Sequence, residues 1–151
     1  MLQRTYPDQN CSIARTLEVV GERWTLLVIR DALFGLTRFD EFRTSLGIAT
    51  NVLTARLDRL VSEGLLERRA YQTRPERHEY VLTDKGRDLA PALLMLMRWG
   101  DRHYTAPSGP PRLAVHAECG GELGEDFRCR RCEEHVDLPD IEFRQGPGAA
   151  P

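Results

Sequence analysis

Residues 38–64 leave the chain few ways to fold. Phe39, Phe42 and Leu46 recur at steps of three and four, so 38–46 reads as a helix with one apolar face, ended by Gly47. Leu53, Leu57, Leu60 and Val61 repeat the pattern over 50–63, with Gly64 as the C-cap. Thr50, Asn51, Thr54, Ala55 and Asp58 fall on the opposite, exposed side. Two short amphipathic helices joined by a tight glycine turn form a helix-turn-helix unit. Strand-like runs follow at 65–71 and 78–82, around the polar stretch QTRPER. Pro75 lacks the N–H that a sheet ladder needs, so it belongs in the turn of a hairpin whose tip carries Arg74 and Arg77. A helix-turn-helix followed directly by a basic hairpin is the winged-helix arrangement.

Helical periodicity flanks this unit on both sides. Ile13, Leu17, Val20, Trp24, Leu27, Val28 and Ala32 mark a helical stretch over 12–34, with a break or a close packing point at Gly21. Thr83 is placed to N-cap a last helix over 84–104. The centre of that helix, LAPALLMLM, is apolar nearly all round and needs burial on more than one side. A domain of about 105 residues has little room for this, so a subunit interface involving Trp99 and the methionines is expected. Pro91 should kink the helix or mark its early turns. The expected class is mainly α with a small β-hairpin (α+β).

Composition and charge shift together near residue 105. Residues 1–104 hold 16 basic and 14 acidic side chains, while 105–151 hold five arginines and nine acids. The overall charge of −2 therefore hides a mildly basic part and an acidic one. Residues 106–111, APSGPP, favour turns over helix. The expected organisation is a main domain at 1–105, a linker at 106–112, a stapled segment at 113–143 and a disordered tail at 144–151. No apolar run reaches the ~18 residues of a membrane span, and the N-terminus lacks the apolar core of a secretory signal, so a cytoplasmic location is expected. An enzyme is not expected: there is no glycine-rich phosphate loop, nucleophile elbow or clear carboxylate pair.

His116, Cys119, Cys129 and Cys132 form H-x2-C-x9-C-x2-C, two short chelating pairs separated by a loop. This is the pattern of a zinc ribbon, and His135 is near enough to replace His116 as fourth ligand. A segment this small rarely folds on an apolar core alone, and a structural zinc would supply the staple. Free thiols in a loose tail are the competing reading; disulfides do not suit a cytosolic chain.

With these elements in view, the chain resembles the HxlR family of bacterial transcriptional regulators, relatives of the MarR-type winged helices. The resemblance rests on Cys11, VGERWTLLVIRDALFG at 20–35, RFDEFRTSLGIATNVLTARLDRLVSEGLLER at 38–68, EYVLTDKGRDLAP at 79–91 and WGDRHY at 99–104. It implies a homodimer, built by the N- and C-terminal helices, that binds operator DNA as a repressor or, less often, an activator. In that setting the 50–63 helix would present Thr50, Asn51 and Thr54 to base edges, asparagine suiting adenine and threonine suiting thymine. Arg56 and Arg59 would reach phosphates or guanine, the wing arginines Arg74 and Arg77 phosphates or the minor groove, and Arg38 the DNA backbone. The family often has a proline near Thr50 and a basic residue near Asn51; this chain has neither, so no base preference carries over. Members also include redox and electrophile sensors with a cysteine at the position of Cys11, which implies a possible oxidant or small-molecule effector here. Arg15 and the helix N-terminus could favour its thiolate. The alternative is a winged-helix adaptor that docks proteins and carries a zinc-stabilised tail.

Overall fold

Gly21 divides the first apolar stretch into two helices. In the computed structural model, which describes residues 5–150, α1 spans Ser12–Val20 and α2 spans Thr25–Leu33. The helix-turn-helix follows as α3, Phe39–Leu46, and α4, Thr50–Ser62. Gly47 takes the left-handed conformation between them, φ +58°, and its N–H donates to the Arg43 carbonyl to close α3. Strands β1, Leu66–Thr73, and β2, Glu76–Leu82, pair antiparallel from Leu66 opposite Leu82 to Thr73 opposite Glu76. Arg74 and Pro75 alone connect them, so the wing is longer and its tip tighter than the residue pattern predicts. A register shift between Ala70 and Gln72 leaves Tyr71 as an extra residue in β1.

The last helix is not continuous. Thr83 caps a single turn, α5, Asp84–Arg87, by accepting from the Gly86 N–H. A new helix, α6, runs over Ala90–Tyr104 with Pro91 in its first turn, where the missing proline N–H costs no intrahelical bond. The chain divides into two compact units between Asp88 and Leu89. This moves the boundary expected at 105: α6 belongs to the C-terminal unit.

In the N-terminal unit, Val28, Ile29, Phe42, Leu53, Leu57 and Leu60 are fully buried, and Leu65, Leu66, Tyr80 and Leu82 extend this apolar set into the wing. Each fully buried leucine contributes about 1.5–3 kcal/mol relative to exposure. The Tyr80 N–H donates to the Thr37 carbonyl at 2.7 Å, tying β2 to the start of α3.

In the C-terminal unit, β3, Arg112–His116, pairs antiparallel with β4, Ile141–Gln145. Leu123, Cys129 and Val136 form a small buried cluster, with Ala114, Cys119 and Ile141 against it. The tail expected to be disordered from 144 is instead tied down. Arg144 and Gln145 complete β4, and the Gly146 and Gly148 N–H groups donate to the Pro111 and Pro110 carbonyls. The physical reason is the half-buried alternation of Ile141 and Phe143, which gives β4 an inner face. The expected linker is correspondingly shorter, since Arg112 already lies in β3.

Candidate functional site

The burial of α4 decides which of its faces can meet a partner. Leu53, Leu57 and Leu60 are out of contact with solvent, whereas Thr50, Asn51 and Thr54 are exposed in the first turns. The Thr54 hydroxyl donates to the Thr50 carbonyl at 2.9 Å, leaving its methyl group and a lone pair outward. Arg59 is exposed and pairs with Glu63 at 2.8 Å.

Arg56, expected to reach DNA, has partners within the chain. Its guanidinium pairs with Glu22, and its Nε donates to the Arg23 carbonyl at 3.1 Å. It braces α4 against the segment between α1 and α2, because position 56 lies on the flank of the helix where that segment passes.

Arg74 and Arg77 are exposed at the wing, and neither has an ion-pair partner among the described residues. Arg38 is exposed at the N-cap of α3, with its guanidinium 4.9 Å from the centroid of the Tyr71 ring. The bulged tyrosine of the wing thus holds the arginine that opens the helix-turn-helix. Residue patterning missed Tyr71, because a one-residue bulge has no composition signature of its own. Glu41 accepts from the Thr37 and Arg38 N–H groups at 3.0 and 2.9 Å, and these bonds hold its carboxyl below the ordinary range.

Cys11 is exposed, in extended conformation at the N-cap of α1. Arg15 does not turn its charge toward that thiol; its guanidinium pairs with Glu18 at 3.1 Å. Only the Arg15 backbone N–H reaches Cys11, donating to its carbonyl.

In the C-terminal unit, the fold brings His116, Cys119, Cys129 and Cys132 together. The His116 Nδ1 lies 3.3 Å from the Cys132 sulfur and 3.5 Å from the Cys119 sulfur, and the Cys119 and Cys129 sulfurs are 3.3 Å apart. Tetrahedral zinc at ordinary bond lengths has ligand–ligand edges of about 3.5–3.8 Å, so the four atoms need only a slight expansion to take an ion. A Cβ on Gly121 would strike the Cys129 sulfur and fall 2.5 Å from the Arg131 Cβ, so only glycine lets this backbone pass so close to the sulfurs. His135 is exposed, its backbone bridges to Arg128, and it lies outside the group; the histidine that stands with the three sulfurs is His116.

The Cys132 N–H, then the Arg131 N–H, stabilises the Cys129 thiolate and draws its pKa down to about 6. At Cys132 the Glu134 N–H acts in the same direction, but burial and the neighbouring sulfurs outweigh it and push the pKa up to about 11. Three sulfurs and one imidazole suit a thiophilic divalent ion and leave no open coordination position. The loop between the chelating pairs is gripped by Arg98 of α6, which donates to the Gly124 and Leu123 carbonyls at 2.5 and 2.6 Å. Arg102 of the same helix pairs with Glu125. These arginines were not picked out from the residue pattern; the signal was a charge at position 98 at the end of an otherwise apolar run.

A glycine-turned helix pair, an exposed polar helix start and a basic wing define a winged helix-turn-helix protein. Residues 19–108 match the HxlR-like helix-turn-helix family, and the chain belongs to that family. It is a helix-turn-helix transcriptional regulator, not an enzyme. It is 44% identical over 137 residues to an HTH-type transcriptional regulator of Mycobacterium tuberculosis, covering 91% of this chain and 87% of that one. The structure of a Pseudomonas aeruginosa chain described as a transcription factor is 45% identical and superposes with a TM-score of 0.54, over 93% of this chain and 95% of that one. The redox regulator HypR in its oxidized form is 33% identical with a TM-score of 0.58, over 64% of this chain and all of its own. No helix among the described residues is long and apolar enough to cross a membrane.

Proposed function

We propose that the protein is a homodimeric repressor that seats α4 of each subunit in the major groove of a pseudo-palindromic operator. The carrying observation is the division of α4: three leucines fully buried on one side, and Thr50, Asn51 and Thr54 exposed at its N-terminal end on the other. Helices of this kind read base edges with their first turns, and two of them in a dimer address half-sites about 34 Å apart. Arg74 and Arg77 of the wing, with Arg38 and Arg59, take the phosphates or the minor groove. Arg56 is left out, since Glu22 and the Arg23 carbonyl hold it. Support for the dimer comes from apolar side chains exposed on two helices: Ile13 and Leu17 on α1, and Met95, Leu96 and Trp99 on α6, with Trp99 55% exposed. Binding to the DNA upstream of the protein's own gene, falling steeply with salt, tests the reading. Absence of binding at low salt rejects it, and the family of surfaces would then serve protein docking.

The cluster at His116, Cys119, Cys129 and Cys132 holds one structural zinc per chain; elemental analysis of protein purified without chelator checks this, and a metal-free result removes it. Cys11 acts as a thiol sensor, supported by its exposure and by the likeness to HypR. If it does, Cys11→Ser abolishes the effect of oxidant or quinone on DNA binding; unchanged sensitivity in the variant ends the idea.

A further inference from the structure

We infer that the metal site governs the surface of α6: zinc bound at His116, Cys119, Cys129 and Cys132 fixes the 123–125 loop through which Arg98 and Arg102 hold that helix. The inference rests on the zinc reading above and extends it from a staple to a control site.

The loop between the two chelating pairs is where the coupling lies. Leu123 is buried with Cys129 and Val136, while Cys119 packs against the same cluster, so metal ligands and loop share one small core. The Leu123 N–H donates to the Ala114 carbonyl at 3.0 Å, and Leu123 bridges to Cys129 in the backbone. From this position the Leu123 and Gly124 carbonyls accept from the two terminal nitrogens of Arg98. The rigid guanidinium fork matches two adjacent carbonyls only while their spacing is held. Glu125, the next residue, takes Arg102 one turn further along α6.

Only Leu123, Cys129 and Val136 are fully buried in this cluster, too few to hold the loop by apolar burial alone. A metal that ties Cys119 to Cys129 closes the loop across its base and supplies what the core lacks. Without it, the carbonyls scatter and the half-buried Arg98 loses its acceptors. The opposite consequence follows for the apolar side of α6. Leu93 and Leu94 bury the inner face of α6, and Arg98 and Arg102 anchor its C-terminal half, so the presentation of Met95, Leu96 and Trp99 depends in part on those two arginines. Metal occupancy is thereby linked to the face that the dimer uses.

Hydrogen exchange on the full chain tests this, comparing protein loaded with one equivalent of zinc and protein stripped by a chelator under reducing conditions. Stripping should speed exchange over residues 90–104 about tenfold or more, as loss of hydrogen bonds to a charged group requires. Peptides of α2–α4 should not change, which also reports that the rest of the chain stays folded. Arg98→Ala should still bind one zinc, yet exchange fast in α6 with or without it. Arg98→Lys, with no planar fork, should fall between. Failure to take up zinc rejects the metal reading and this inference with it. Zinc uptake with equal α6 exchange in both states, or a full metal response in Arg98→Ala, overturns only the coupling.

Discussion

Asn51 stands exposed in the first turn of α4, where a side-chain amide can offer a donor and an acceptor together to one base. Asn51→Ala should weaken operator binding by about 1–3 kcal/mol while leaving binding to unrelated DNA nearly unchanged. Fluorescence anisotropy on both DNAs checks it; equal losses on the two would assign Asn51 to the backbone. Glu41 acts on stability rather than recognition. Its folded carboxyl titrates below the ordinary glutamate value of 4.5, because the Arg38 and Thr37 N–H groups hydrogen-bond its ionised form. A depressed folded pKa contributes stability above the unfolded value, and that contribution fades as pH falls through the folded pKa. Wild type should therefore exceed Glu41→Gln in urea resistance at neutral pH, and the gap should close in acid below about 4.5. A gap independent of pH would mean that the carboxylate charge is not what caps α3.

At the scale of elements, α3 and α4 were legible because each obeys one period, and the wing was legible as a hairpin because Pro75 marked its turn. Leu53, Leu57 and Leu60 sit where a 3.6-residue repeat places them, and all three are buried. The division of the last helix at Asp88 and the docking of α6 on the 123–125 loop were not legible. Both depend on what α6 packs against, and periodicity states only that a face is apolar. The same holds for Arg56, whose place on the flank of α4 does not by itself name Glu22 and Arg23 as its partners. The cysteine spacing pointed to side chains that the fold does bring together, but the choice between His116 and His135 needed β3, which delivers His116 to the sulfurs from its last position. The apolar side of α6 gives an element-level prediction. Trp99→Asp places a charge on an exposed apolar face and should convert the dimer to monomer at micromolar concentration, seen by sedimentation, without unfolding α3 and α4. A variant that remains dimeric would move the seam elsewhere.

The chain has two units, one built on a leucine core and one on a small apolar cluster, a two-stranded sheet and a group of three cysteines and a histidine. Their stabilities have different sources, so they should respond to different treatments. Calorimetry of the zinc-loaded chain should show the C-terminal unit lose its transition on chelation, while the N-terminal transition moves little. A single transition that shifts as one would mean that the units unfold together. Residues 1–104 carry a net +2 and residues 105–151 a net −4, so the acidic excess lies in the stretch of sequence that holds His116, Cys119, Cys129 and Cys132.

Gly121 carries a consequence for inheritance. Glycine codons begin with two guanines, and every missense change from them installs a Cβ. At position 121 that atom would lie against the Cys129 sulfur and the Arg131 side chain. Alanine, serine, valine and aspartate should all perturb the cluster, whatever their polarity. In a population selected for loss of regulation, spontaneous lesions should therefore accumulate at this codon as well as at those of His116, Cys119, Cys129 and Cys132, although glycine has no donor atom of its own to offer an ion.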